Sequence, residues 1–116
     1  MKTNTIYLSH ILDETTFILQ TTATLTYETF KQNPLIQKAI IRSLEIIGEA
    51  TKNISREYRD EHPEIPWKTM AGLRDRLIHA YFSINITQVW EVITDDIPLL
   101  HIQIQKLLST KTESQS

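Results

Sequence analysis

The chain has 116 residues, 41% of them apolar and 22% charged, the balance of a single globular domain and not of a disordered, collagen-like or membrane-embedded chain. Twelve Lys+Arg stand against 14 Asp+Glu, so no overall positive field draws it to nucleic acid or an anionic membrane, and any such contact must come from a local patch. Cysteine is absent, which excludes disulfides, thiolate nucleophiles and every Cys-ligated metal site and is compatible with the cytoplasm.

Met1 to Gln20 carries Asp13 and Glu14 inside its most apolar stretch, unlike a signal peptide. No run approaches the roughly 20 apolar residues that span a bilayer, so the expectation is a cytosolic protein with its N-terminus intact. Two glycines, four prolines and apolar residues at helical intervals predict an all-α fold, an antiparallel bundle of four to five helices. The first helix is expected over about Asn4 to Ala23, with Ile11, Ile18 and Leu25 a heptad apart, although its threonines are poor helix formers. A short helix follows around Tyr27 to Gln32.

Asn33-Pro34 opens a long helix, since Asn caps free N–H groups and Pro at the first helical position loses no hydrogen bond. Its stripe of Ile36, Ile40, Leu44, Ile47, Ile54 and Tyr58 runs to about Arg59 and should face the core. Gly48 interrupts the stripe at a cost of roughly 1 kcal/mol against Ala, which close approach of another element would offset. His62 to Pro66, with two prolines, reads as a connection, and Pro66 suits the first position of a helix over Trp67 to about Tyr81. Asn85-x-x-Gln88 has the pattern of a capping box and starts the last helix, in which Pro98 predicts a kink or break. Residues 1–109 read as one domain and 110–116 as a polar, frayed tail.

There is no glycine-rich phosphate loop, His-Glu-x-x-His, EF-hand loop or Gly-x-Ser-x-Gly elbow. His10, His62, His79 and His101 have no partner at ligand spacing, so neither a metal nor a cofactor is expected. The chemistry concentrates between Arg74 and Tyr81, where Arg74, Asp75, Arg76, His79 and Tyr81 bring two guanidiniums, a carboxylate, an imidazole and a phenol into eight residues. An Arg fork binds phosphate and stabilises charge developing on it, while an imidazole titrating near neutrality moves protons. Together they suit phosphodiester cleavage in RNA, where the neighbouring 2′-hydroxyl is the nucleophile and the protein supplies proton transfer and electrostatic stabilisation. The plainer alternative makes Arg74, Asp75 and Arg76 solvated helix charges and Tyr81 the edge of a packing stripe.

Spacing adds a condition. At 3.6 residues per turn, Arg74 and His79 point about 140° apart and His79 and Tyr81 about 160° apart, whereas Asp75 and His79 share a face. One regular helix does not gather the set, so either the helix deforms or a second chain brings the missing groups, which implies a dimer. A two-fold interface would place two copies of Arg74 and His79 across one cleft and supply proton donor and acceptor from one residue type.

Arg74-x4-His79-x-Tyr81 resembles the Arg-x4-His-x-Tyr signature of the HEPN superfamily, and specifically its HepT-like toxins. The likeness extends to Arg42-Ser43-Leu44-Glu45-Ile46-Ile47-Gly48-Glu49-Ala50, Ile65-Pro66-Trp67, Gly72-Leu73-Arg74-Asp75, and Val89-Trp90 followed by Asp96-Ile97-Pro98, in the family's order and over nearly the whole chain. The resemblance implies an all-helical homodimer and a metal-independent endoribonuclease site built from Arg74 and His79. It also implies pairing with a minimal nucleotidyltransferase antitoxin of the MntA type, which adds AMP to the motif tyrosine, here Tyr81. Many family members have Asn after the motif Arg, where this chain has Asp75.

Arg42, Glu45 and Glu49 fall along one side of the long helix, placed either to support the motif arginines and a dimer contact or to form a solvated strip. Trp67 and Trp90 read as packing anchors before stacking platforms for RNA. Two further functions remain open on sequence: a noncatalytic helical subunit of a nucleotidyltransferase complex, and a helical adaptor with a decayed site. Lys38 to Arg76 holds eight Lys+Arg and seven Asp+Glu, so an RNA-binding face requires their separation in three dimensions.

Overall fold

The computed structural model describes the backbone of residues 2–73 and 85–115 and the side chains of 3–73 and 85–109. Every regular element among them is helical: α1 (Lys2–Thr22), α2 (Tyr27–Lys31), α3 (Pro34–Lys52), α4 (Arg56–Glu61), α5 (Trp67–Ala71), α6 (Ile86–Glu91), a π turn (Val92–Asp96) and α7 (Ile97–Gln115). The all-α expectation holds. The segmentation is finer than the four to five helices read from sequence, because several long stripes are interrupted by local caps.

α1 and α3 form the centre. Asn4 meets Ser55 just past the end of α3, while Glu14 meets Ser43 near its middle, so the two helices run antiparallel. Leu8, Ile11 and Ile18 of α1 and Ile40, Leu44 and Ile47 of α3 are fully buried, and α7 adds Ile97, Leu100 and Ile104. At roughly 25 cal/mol per Å² of apolar surface removed from water, this three-helix contact is the main favourable term in folding. The α1 threonines adapt to the helix by returning their hydroxyls to it: Thr16 donates to the Leu12 carbonyl at 2.8 Å and Thr22 to that of Ile18 at 2.7 Å.

The long α3 ends at Lys52 instead of near Arg59. Ile54 still enters the core, but Ser55 takes extended backbone and caps α4, its Oγ accepting the Tyr58 N–H at 3.2 Å. Asn4 fixes this break from the other end of the chain. Its Nδ2 donates to Ser55 Oγ at 3.1 Å, its Oδ1 accepts the Ser55 N–H at 3.0 Å, and the residue is 3% exposed. Asn4→Ala removes both hydrogen bonds to Ser55 and should destabilise the protein by about 2 kcal/mol, at roughly 1 kcal/mol for each bond, read as a lower urea midpoint at unchanged slope. A loss within about 0.5 kcal/mol would show that the bridge does not hold the break.

The other caps follow the local sequence. Asn33 accepts the Ile36 N–H at 3.1 Å with Pro34 beside it, and Asn85 accepts the Gln88 N–H at 3.1 Å. Pro66 precedes α5 as its cap residue, one position earlier than expected. Pro98 lacks the N–H that would close a regular turn onto Thr94, and the helix meets this with the π turn: the Ile97 N–H reaches back five residues to the Val92 carbonyl. The backbone of α7 continues helical to Gln115, through the residues read from sequence as a tail. No helix among the described residues is long and apolar enough to cross a membrane.

Candidate functional site

Arg74, Asp75, Arg76, His79 and Tyr81 lie in residues 74–84, outside the described residues. The structure defines the two points between which that segment runs. On the near side is α5, where Trp67 is buried and its Nε1–H donates to the His62 carbonyl at 2.8 Å, with Met70 and Leu73 buried after it. On the far side is α6, whose Trp90 lies tilted on Phe30 at 5.1 Å between ring centroids, while Thr87 shares a 2.7 Å hydrogen bond with Tyr27 of α2. Both tryptophans are packing anchors among the described residues, as their types suggest.

Two concavities border the near end. One, of about 320 Å³, has apolar walls from Met70, Leu73, Val92 and Leu100 and carboxylates from Glu64, Asp95 and Asp96 at its edge. The other is an open groove of about 790 Å³ along α4, the Pro63–Pro66 connection and α5, and among the described residues it carries Arg56, Arg59 and Lys68 with a single carboxylate, Asp60. These three cations are scattered over 13 positions among Glu57, Asp60, Glu61 and Glu64, so the linear charge count hid them. The signal available in sequence was the Arg56-x2-Arg59 spacing, which puts both guanidiniums on one side of a helix.

The remaining candidates lie apart from these walls. Arg42 is exposed and Glu45 half-buried on α3, and Glu49 lies 3.9 Å from Lys52 in an exposed i,i+3 pair, an arrangement worth a few tenths of a kcal/mol at most by the ~0.2–0.5 kcal/mol typical of helix-surface pairs. Beside Arg42, Ser43 is buried and donates to the Glu14 carboxylate at 2.6 Å, which ties α1 to α3. The described histidines are dispersed: His10 is exposed against Tyr7, His101 shares a 2.9 Å hydrogen bond with Thr15, and His62 stacks on Tyr58 at 4.5 Å.

Tyr58 is the described group with a displaced titration. Burial, then the carboxylates of Glu61 and Glu64, hold its phenol above the ordinary value of 10.0. The folded state therefore keeps a proton that the unfolded chain releases, so this contribution is complete below pH 10 and is lost as pH rises through the folded value. Stability of the wild type should fall more steeply above about pH 10 than that of Tyr58→Phe, measured by urea unfolding across the alkaline range. Parallel curves would mean that Tyr58 does not carry the effect.

Comparison with known proteins addresses the segment between the two anchors. A protein of Caldanaerobacter subterraneus subsp. tengcongensis named as an RNase is 45% identical over 108 residues, covering 93% of this chain and 96% of its own. One of Thermococcus cleftensis named as a ribonuclease HepT is 44% identical over 101 residues, covering 87% and 92%. One of Methanocaldococcus jannaschii named as an RNase is 42% identical over 92 residues, covering 79% and 76%. No solved structure matches the chain. The family model described as "Ribonuclease HepT-like" matches residues 11–107, from the buried Ile11 of α1 to the buried Leu107 of α7, and the chain belongs to that family.

Proposed function

We propose that this chain is a metal-independent endoribonuclease that acts in the cytoplasm as a homodimer, as the toxin of a toxin–antitoxin pair. The observation that carries the reading is that a chain matching the HepT-like family from residue 11 to 107 keeps Arg74, His79 and Tyr81 at the family's motif spacing. In the dimer, two copies of the motif face one cleft. Arg74 holds the scissile phosphate and stabilises the charge that gathers on its oxygens. His79 of one protomer removes the proton of the 2′-hydroxyl, whose oxygen attacks phosphorus, while His79 of the other protonates the departing 5′-oxygen. The P–O5′ bond breaks, and the products are a cyclic phosphate and a 5′-hydroxyl end. Asp75, four positions before His79, orients the imidazole, and Arg76 adds positive charge to the cleft. Arg42 and Glu45 support the arrangement from α3.

Tyr81 is the switch. A cognate nucleotidyltransferase transfers AMP to its phenol, and each AMP places a base and a negative phosphate beside the cleft, blocking RNA by volume and by repulsion.

The test is cleavage of RNA by the purified chain in excess chelator, with end-group analysis of the fragments. Retained cleavage with cyclic phosphate ends is expected, and cleavage abolished by chelator would refute the mechanism. Coexpression with a minimal nucleotidyltransferase of the proposed cognate type should raise the mass of the wild type, but not of Tyr81→Phe, by whole AMP units. An unchanged wild-type mass would remove the switch.

A further inference from the structure

From the open groove on α4 and α5 we infer that Arg56, Arg59 and Lys68 form a phosphate track that holds the RNA strand beside the scissile bond, a subsite outside the Arg74–His79–Tyr81 motif. The inference rests on the ribonuclease reading and extends it to how substrate is held.

Three observations support the track. Among the described residues the groove has three cations against one carboxylate, Asp60, within a chain whose net charge is negative, and none of the three forms an ion pair with another described residue. Their charge is available to a ligand. Second, Arg59 is part-buried and its Nε is shielded from solvent with no acceptor, the one such buried side-chain atom among the described residues. An unpaired guanidinium donor is costly, and that cost is relieved when a phosphate oxygen draws the fork into the groove. Third, the groove extends to Ala71, three residues before Arg74, and three residues span at most about 10 Å. The α5 end of the groove is therefore within reach of the Arg74 backbone along the chain.

The lining also defines what is read. Trp67 is the aromatic residue of this wall, and it is 7% exposed with its indole N–H committed to the His62 carbonyl, so no open ring is offered to a base. Contacts are to the sugar–phosphate backbone. The track therefore contributes affinity that depends on salt and is indifferent to base sequence.

The experiment compares full-length His79→Ala protein with the same protein carrying Arg56→Gln, Arg59→Gln and Lys68→Gln, using a fluorescein-labelled single-stranded RNA of mixed sequence. Three lost phosphate contacts should flatten the slope of log affinity against log salt by about 2, so raising salt from 50 to 200 mM should weaken the parent about 20-fold more than the triple variant. Asp60→Asn, which removes the one carboxylate of the wall, should tighten binding. In the active background the triple change should raise KM and leave kcat within about twofold, with unchanged circular dichroism and melting temperature showing an intact fold.

Unchanged RNA affinity and slope in the triple variant, with wild-type RNA cleavage intact, would overturn the track and leave the ribonuclease reading standing. So would normal RNA binding together with loss of nucleotidyltransferase association, which would make the groove a protein-docking surface. A wild-type protein that neither binds nor cuts RNA would overturn both.

Discussion

Replacing His79 with Ala should slow RNA cleavage by roughly 10² to 10⁴ while leaving the fold and RNA binding intact, because that is the usual contribution of a positioned general acid or base. The effect should fall on kcat. The proposed phosphate contacts of Arg74 and of the α4–α5 groove do not pass through the imidazole, so KM should change little. Arg74→Ala should lower both kcat and affinity, since in the proposed mechanism its guanidinium meets the phosphate in the ground state and more strongly as charge develops. Two imidazoles sharing a cleft, as proposed, predict a bell-shaped pH–rate profile, with one limb for the histidine acting as base and one for the histidine acting as acid. Cleavage by His79→Ala at the wild-type rate would show that the imidazole is not the proton carrier.

Phe30→Ala should give the largest loss of stability among single substitutions outside the three central helices, about 4 kcal/mol, the range for deleting a fully buried phenyl ring. Phe30 is 0% exposed, and its ring lies 5.1 Å from that of Trp90. It therefore closes the core below α2 and holds α6, the element that anchors the far end of the motif segment. Urea unfolding should show a lower midpoint, and the Trp90 fluorescence should redden as its indole loses apolar cover. A loss under about 1 kcal/mol would mean that neighbouring side chains refill the space and that α6 is held elsewhere. Cleavage should fall with Phe30→Ala at temperatures where the protein remains folded, because α6 follows the motif segment in the chain and loses its packing on Phe30.

The features legible in the sequence are those decided within a few residues. Asn33-Pro34 and Asn85 cap α3 and α6 because an Asx side chain reaches an N–H three positions on, whatever surrounds it. Pro98 disturbs the last helix because it has no N–H, a property it carries into any fold. The stripe from Ile36 to Leu44 and Ile47 faced the core because apolar area alone orients an amphipathic helix. The motif from Arg74 to Tyr81 was visible as a concentration of chemistry, and the matched range of the HepT-like family includes it.

Long-range contacts were not legible. Ile54 and Tyr58 continue the period of α3, and nothing near them announces that the helix stops at Lys52; the break is stabilised by Asn4, 51 residues before Ser55 in the chain. The cations of the α4–α5 groove read as half of a neutral charge mixture, since Glu57, Asp60, Glu61 and Glu64 alternate with them.

Composition and period were sufficient for an all-helical chain and its local caps, because propensity, capping and amphipathicity act over one or two turns. Where α3 breaks, and how Arg56, Arg59 and Lys68 come to share one groove with a single carboxylate, was settled only by packing. Hydrogen bonds and electrostatic fields act through space, and the chain brings their partners together only once it has folded.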